Sequence, residues 1–193
     1  GFNGRLKNLD YTTNFSDLTV DGYRQHSEHE SRLFNSKLRY RFDDGSTLKV
    51  SFNAVDQPVS NDPGGVNISD LRSDRRSARC ENTQNVCFDG NGNPKDEDQF
   101  NAGEELEQQR VGLIYETEPN ENTSFMLRNY YLWRDFKSRI PVRANGIIDL
   151  DRYYAGIGAQ IRQNFEPTKS IEFKWVAGAD LNKQEDYRQR WEN

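Results

Sequence analysis

Four arginines within eight residues, Arg72, Arg75, Arg76 and Arg79, are the densest chemical signal in the chain. A guanidinium presents a rigid fork of donors that grips carboxylate or phosphate oxygens two at a time. Clustered in one segment, the four read as a ligand-binding patch for an anion. Asp70, Asp74 and Glu81 lie among them, so the competing reading is a solvated loop whose charges cancel. Segment 58–103 carries eight acidic residues, which makes its net sign negative and weighs against the anion. Cys80 and Cys87 follow with six residues between them. A zinc site wants four ligands, and His26 and His29 are distant in sequence. A local Cys80–Cys87 disulfide is the expectation, and it implies an oxidising compartment outside the cytoplasm.

Other candidates fall away on inspection. Asp89-Gly90-Asn91-Gly92-Asn93 opens like a calcium loop, but Pro94 stands where the turn glycine belongs and Phe100 where the bidentate Glu belongs. A plain Gly/Asn turn is expected there. His26 and His29 have the spacing of a metal pair only if helical, and solvated loop histidines are expected instead. No Ser/His/Asp set, paired catalytic carboxylates or phosphate-cradling glycine loop stands out. The reading is therefore not an enzyme, with no cofactor and no metal site.

The composition decides what can position these residues. Of 193 residues only 33% are hydrophobic, yet 12% are aromatic, and the mean hydropathy is −1.03. A disordered chain would be as polar but poor in Trp, Tyr and Phe. The formal charge of −5 argues against a nucleic-acid binder, which would carry a basic stripe. No apolar run approaches the ~18 residues of a spanning helix. That excludes membrane helices only, because a barrel strand hides alternate residues from lipid.

Period two dominates. Phe34, Ser36, Leu38, Tyr40 and Phe42 alternate with Asn35, Lys37, Arg39 and Arg41. After Asp43-Asp44-Gly45-Ser46, Leu48, Val50, Phe52 and Ala54 alternate with Lys49, Ser51 and Asn53. The same alternation runs through 9–16, 110–115, 125–134, 152–165 and 171–182. These segments predict seven strands of an antiparallel up-and-down sheet. The apolar set, including Phe34, Leu38, Leu48, Val50, Phe52, Leu113, Leu127, Ile157, Ile161, Phe173 and Trp175, is expected to face lipid. Lys37, Arg39, Lys49, Arg128, Arg162 and Lys174 are expected to face a lumen.

A soluble sandwich is the usual home of alternating strands. The connections point elsewhere, because tight ones at 43–46, 118–122 and 166–169 alternate with long ones at about 19–31, 57–104 and 138–149. Short turns at one end and long loops at the other are the habit of outer-membrane barrels. Tyr40, Phe42, Tyr115, Phe125, Phe165, Phe173 and Trp175 cluster near the tight turns, as an interfacial girdle would. Tyr131, Trp133, Tyr153 and Phe15 are placed for a second girdle. Seven strands cannot close a bacterial barrel, whose strand number is even. The absence of a signal-like start at Gly1 and the charged stretch at Trp191-Glu192-Asn193 agree in predicting an internal piece of a longer protein.

Several runs together are familiar. Val20-Asp21-Gly22-Tyr23-Arg24-Gln25-His26-Ser27, Phe34-Asn35-Ser36-Lys37-Leu38-Arg39-Tyr40, Val55-Asp56-Gln57-Pro58 and Asn61-Asp62-Pro63-Gly64-Gly65 occur in that order. Together they resemble TonB-dependent outer-membrane receptors of the iron-complex (siderophore) group, and the resemblance covers most of the chain. It implies a barrel of about 22 strands with a plug domain inside, in the outer membrane of a Gram-negative bacterium. Such a receptor takes up a ferric chelate with energy relayed by the TonB complex through the plug. The chain departs from that pattern in showing no plug, no TonB-contacting box and no C-terminal aromatic strand, so residues 1–193 are expected to be part of the barrel only. The alternatives are a passive porin, a receptor for another scarce ligand such as cobalamin or an oligosaccharide, and a surface adhesin. The expected partners are the ferric chelate, the TonB complex and outer-membrane lipid, with no nucleic acid.

Overall fold

A computed structural model describes residues 1–78, 87–88, 94–95, 101–140, 146–168 and 171–191. Eight strands form one sheet: β1 (Phe2–Leu6), β2 (Leu9–Val20), β3 (His29–Arg41), β4 (Thr47–Ser60), β7 (Gly103–Asn120), β8 (Thr123–Arg139), β9 (Ile147–Thr168) and β10 (Ile171–Trp191). The order is β1-β2-β3-β4-β7-β8-β9-β10, and every pairing is antiparallel. Between β4 and β7 lie a short helix, α1 (Ile68–Ser73), and a separate two-stranded ladder of β5 (Cys87–Phe88) and β6 (Pro94–Lys95). The chain is thus all-β and up-and-down, as the alternation predicts, and the sheet is open, with β1 and β10 each paired on one side among the described residues.

The additional strand is β1. Its five residues carry Gly4 at the centre, so alternation has too little to register there. The Tyr11 ring on β2 fills the space a side chain would take, since a Cβ on Gly4 would stand 2.7 Å from the Tyr11 hydroxyl. The other strands are longer than their alternation indicates. β7, β8, β9 and β10 run 18, 17, 22 and 21 residues, against the ~9–11 residues that a tilted strand needs to span a bilayer. Much of the surplus lies toward the long connections, which shrink to 21–28, 61–102 and 140–146.

Register sorts the side chains onto two faces. Leu38, Val50 and Leu113 stand in one row, as do Leu48, Tyr115 and Leu127. Arg39, Lys49 and Arg128 share a row of the opposite parity, through Ile114. All the residues expected to share the apolar face do so, and all the cations expected opposite them lie on the polar face. The apolar side is uncovered: Leu181 is 76% exposed, Ile157 48% and Leu127 47%. Among the described residues the buried hydrophobic ones are Ala78 and Ala102, both near the long 61–102 connection. A sheet with this much uncovered apolar surface has no core of its own.

The apolar face ends abruptly. Phe15, Phe34, Ala54, Gln109, Trp133 and Tyr153 form one row across β2, β3, β4, β7, β8 and β9. The next row toward the long connections reads Asp17, Arg32, Asp56, Glu107, Asp135 and Asp151. At the other end the tight turns are staggered. Register carries Leu9, beside the first turn, through Tyr40, Leu48, Tyr115 and Leu127 to Ala159. β9 continues nine residues further, to Thr168, before its own turn. Nine residues are about 30 Å along a strand, and the six strand widths between those turns are about 29 Å. Turns lying in one plane would therefore require strands inclined by roughly 45°, close to the tilt of membrane barrels.

The β3–β4 turn shows how the ends are built. Gly45 adopts φ +83°, the Phe42 amide donates to the Ser46 carbonyl at 2.9 Å, and the Ser46 amide and hydroxyl donate to Asp44 Oδ1 at 2.9 and 2.6 Å. These bonds hold the Asp44 carboxyl below its usual range. A Cβ at Gly45 meets no atom within 4 Å, so a substitution there tests backbone strain alone. Gly45→Ala is expected to cost about 1 kcal/mol. Urea unfolding midpoints measure it, and a loss below a few tenths would mean that the turn relaxes freely.

Candidate functional site

The first candidate region is the loop cluster at the long-connection end. Arg24, half-buried in the 21–28 turn, donates to three carbonyls of the next connection: Gly64 at 2.6 Å, Pro63 at 3.0 Å and Ser77 at 2.9 and 3.1 Å. The Gln25 amide adds a bond to the Arg76 carbonyl at 2.7 Å. His26 Nε2 lies 2.6 Å from the Ala102 carbonyl oxygen, and His29 Nδ1 lies 3.3 Å from Ser60 Oγ. The two histidines thus engage different backbone and hydroxyl partners. Among the described residues no group of three or more His, Cys, Asp or Glu side chains could hold a metal ion.

The arginine segment sits on this clasp. Asn67 caps α1 through the Ser69 amide at 2.8 Å, and Arg72 closes the helix's last turn. Arg72, Arg75 and Arg76 are all exposed. Arg76 lies over the Tyr23 ring, 5.9 Å from its centroid, so a cation–π contact ties it to the neighbouring turn. Arg79, Cys80 and Asp89–Asn93 lie outside the described residues, as does the Cys80–Cys87 pairing. Sequence reasoning singled out the arginines but missed Arg24, which holds the loops together. A lone arginine in a loop gives no periodic signal, and only the three carbonyls around it reveal its role.

The polar face is the second region. Arg128 on β8 reaches Asp180 on β10 at 2.6 Å across the intervening β9. The gap is bridged above Gly158, where a Cβ would stand 2.0 Å from Asp180 Oδ1 and 2.6 Å from Arg128 Nε. The Tyr130 hydroxyl donates to Asn182 Oδ1 in the same way over Gly156. Lys49 pairs with Glu116 at 2.6 Å and Arg152 with Asp186 at 2.5 Å. A recess of about 600 Å³ lies on this face between β2 and β8. No family model matches the sequence.

On the opposite face, the charged row beyond the apolar band sets Glu107, Asp135 and Asp151 directly opposite one another on three adjacent strands. Burial, together with Asp151, Asp149, Glu107 and Glu105, raises the Asp135 pKa. A carboxyl whose folded pKa exceeds its unfolded value favours the folded state while protonated, and that advantage is lost as pH rises through the folded value. Asp135→Asn is therefore expected to raise the unfolding midpoint near neutral pH and to leave it almost unchanged at about pH 3. Equal effects at both pH values would show that repulsion in the row is not the cause. For the clasp, Arg24→Ala should speed amide hydrogen exchange at Gln25 by about tenfold or more. Unchanged exchange there would mean that other contacts hold the two loops.

Proposed function

We propose that this chain is a wall segment of an outer-membrane β-barrel in a Gram-negative bacterium. The barrel would belong to a receptor that takes up an anionic iron chelate with TonB-relayed energy. One observation carries the membrane part: a single sheet is apolar and uncovered on one face, ends that face at a row of charges, and lines the other with ion pairs. Lipid is the solvent that such a sheet needs on its apolar side, and in lipid the open edges of β1 and β10 must be closed by further strands. On β9 the apolar set runs from Tyr153 to Phe165. Those 13 residues, inclined at roughly 45°, rise about 28 Å, near the height of a barrel's lipid-facing band.

The receptor part rests on the resemblance of the quoted runs and on the loop end. The long connections leave the same end of the sheet, where Arg72, Arg75 and Arg76 are exposed. Guanidinium groups there would attract and orient the carboxylate or catecholate oxygens of a chelate. The Arg24 clasp supports this role, because it turns two loops into one surface and lowers the ordering cost of binding.

Two experiments test the reading. In the full-length barrel, Ile157→Arg should cost about 2–4 kcal/mol, against little for Arg162→Gln, because position 157 would face lipid and 162 the lumen. Equal costs would place neither face in lipid. For the receptor, replacing Arg75 and Arg76 together with Ala should weaken ferric-chelate binding to the full-length protein in detergent without disturbing barrel assembly. Unchanged affinity would remove these arginines from the site, and uptake that continues without TonB would remove the receptor reading.

A further inference from the structure

The polar face carries an imbalance that its own residues do not resolve. In the two rows that line the recess and beside it toward the tight turns, six cations, Arg5, Lys37, Arg39, Arg41, Lys49 and Arg128, face three carboxylates, Asp10, Glu116 and Asp180. The carboxylates are already engaged. Asp10 takes Arg5 at 2.6 Å and Arg41 at 2.5 Å, Glu116 takes Lys49 at 2.6 Å, and Asp180 takes Arg128 at 2.6 Å. Lys37 and Arg39 have no ion pair among the described residues. Arg39 stands directly opposite Lys49 on β4, and the single carboxylate Glu116, already bonded to Lys49, is the acid that faces them both. The row above, Asn14, Asn35, Asn53 and Arg110, adds a cation and no acid.

This surplus borders the recess of about 600 Å³. Lys37, Arg39 and Lys49 form one side, Arg128 and Tyr130 the other. Between them the row narrows to Ser51 and Gly112, which leave the floor open. The volume lies in the range of small-molecule sites. A chain whose formal charge is −5 thus concentrates positive charge around one cavity.

We infer that the polar-face recess between Lys37/Arg39 and Arg128/Tyr130 binds a small solute bearing several oxyanion groups, carboxylates or phosphates. Lys37 and Arg39 supply the unspent charge, and Lys49 and Arg128, fixed by Glu116 and Asp180, supply directed donors. The site is distinct from the loop arginines and does not require that the solute carry iron.

The test is calorimetric titration of the full-length protein in detergent with inorganic pyrophosphate and, separately, tricarballylate. The expected result is saturable binding of at least one of them, weakened about tenfold or more in Lys37→Gln/Arg39→Gln and reduced by salt. Which anion binds more tightly separates a phosphate site from a carboxylate site. Ser51→Trp, which fills the floor and keeps every charge, should abolish binding. Absence of binding to the wild type, or binding unchanged in both recess variants, would overturn the site. A zero-length carbodiimide cross-link from Lys37 to a carboxylate elsewhere in the full-length protein, with no solute bound, would assign the surplus to a protein segment and overturn it equally.

Discussion

Everything distinctive about this molecule depends on the parity imposed by one continuous antiparallel ladder. Neighbouring strands stay in register from β2 to β10, with shifts confined to Glu30/Arg32, Thr117/Asn120 and Ile171/Phe173, near strand ends. Through the middle of the sheet, therefore, no residue changes face. A slip of one residue in any pairing would carry a row such as Arg39, Lys49 and Arg128 onto the apolar side and Leu38, Val50 and Leu113 onto the polar one. The cost of that exchange pins the register more firmly than any turn does.

Parity also explains why glycines occupy the centre of β9. Gly156 and Gly158 fall on the polar face, in the rows of Tyr130 and Arg128. Side chains there would block the contacts that join β8 to β10, since Asp180 Oδ1 and the Tyr130 ring already occupy that space. Glycine weakens a strand by itself. Here the loss is offset by polar bridges spanning three strands, a reach that adjacent-strand ladders cannot give. The same removal of side chains at Gly112 opens the cation-lined recess instead, because no acid on β4 or β8 reaches across to fill it.

Much of this was legible in the sequence, and the reason is again parity. Alternation over 34–42 and 47–55 names a hairpin and both its faces at once, and the turn 43–46 fixes the register between them. What period two could not reveal was whatever lies at its ends or outside it. β1 is too short and is centred on Gly4. The outward parts of β7 to β10 escaped because their polarity changes. There the apolar row belongs to the other face, in Leu106, Phe136 and Leu150, while Glu107, Asp135 and Asp151 occupy the formerly apolar side. A pattern that reverses phase within one strand looks like its end. The Arg24 clasp was illegible for a different reason, since its partners are backbone carbonyls more than 35 residues away and carry no side-chain signature.

That phase reversal bears on the architecture. The Glu107–Asp135–Asp151 row stands beyond Trp133 and Tyr153 without any bulge between, so the strands cross the boundary straight and only their chemistry changes. Beyond that boundary Leu106, Phe136 and Leu150, all half-buried, form the apolar row on the face that elsewhere carries the ion pairs. Each long strand therefore divides into two lengths whose apolar residues lie on opposite faces of the sheet. The length nearer the tight turns carries them on the uncovered face. The length nearer the long connections carries them on the other face, beside the end from which those connections, and with them the arginines on their clasp, emerge. The outward lengths of β7, β8 and β9 set those loops at a distance from the apolar band.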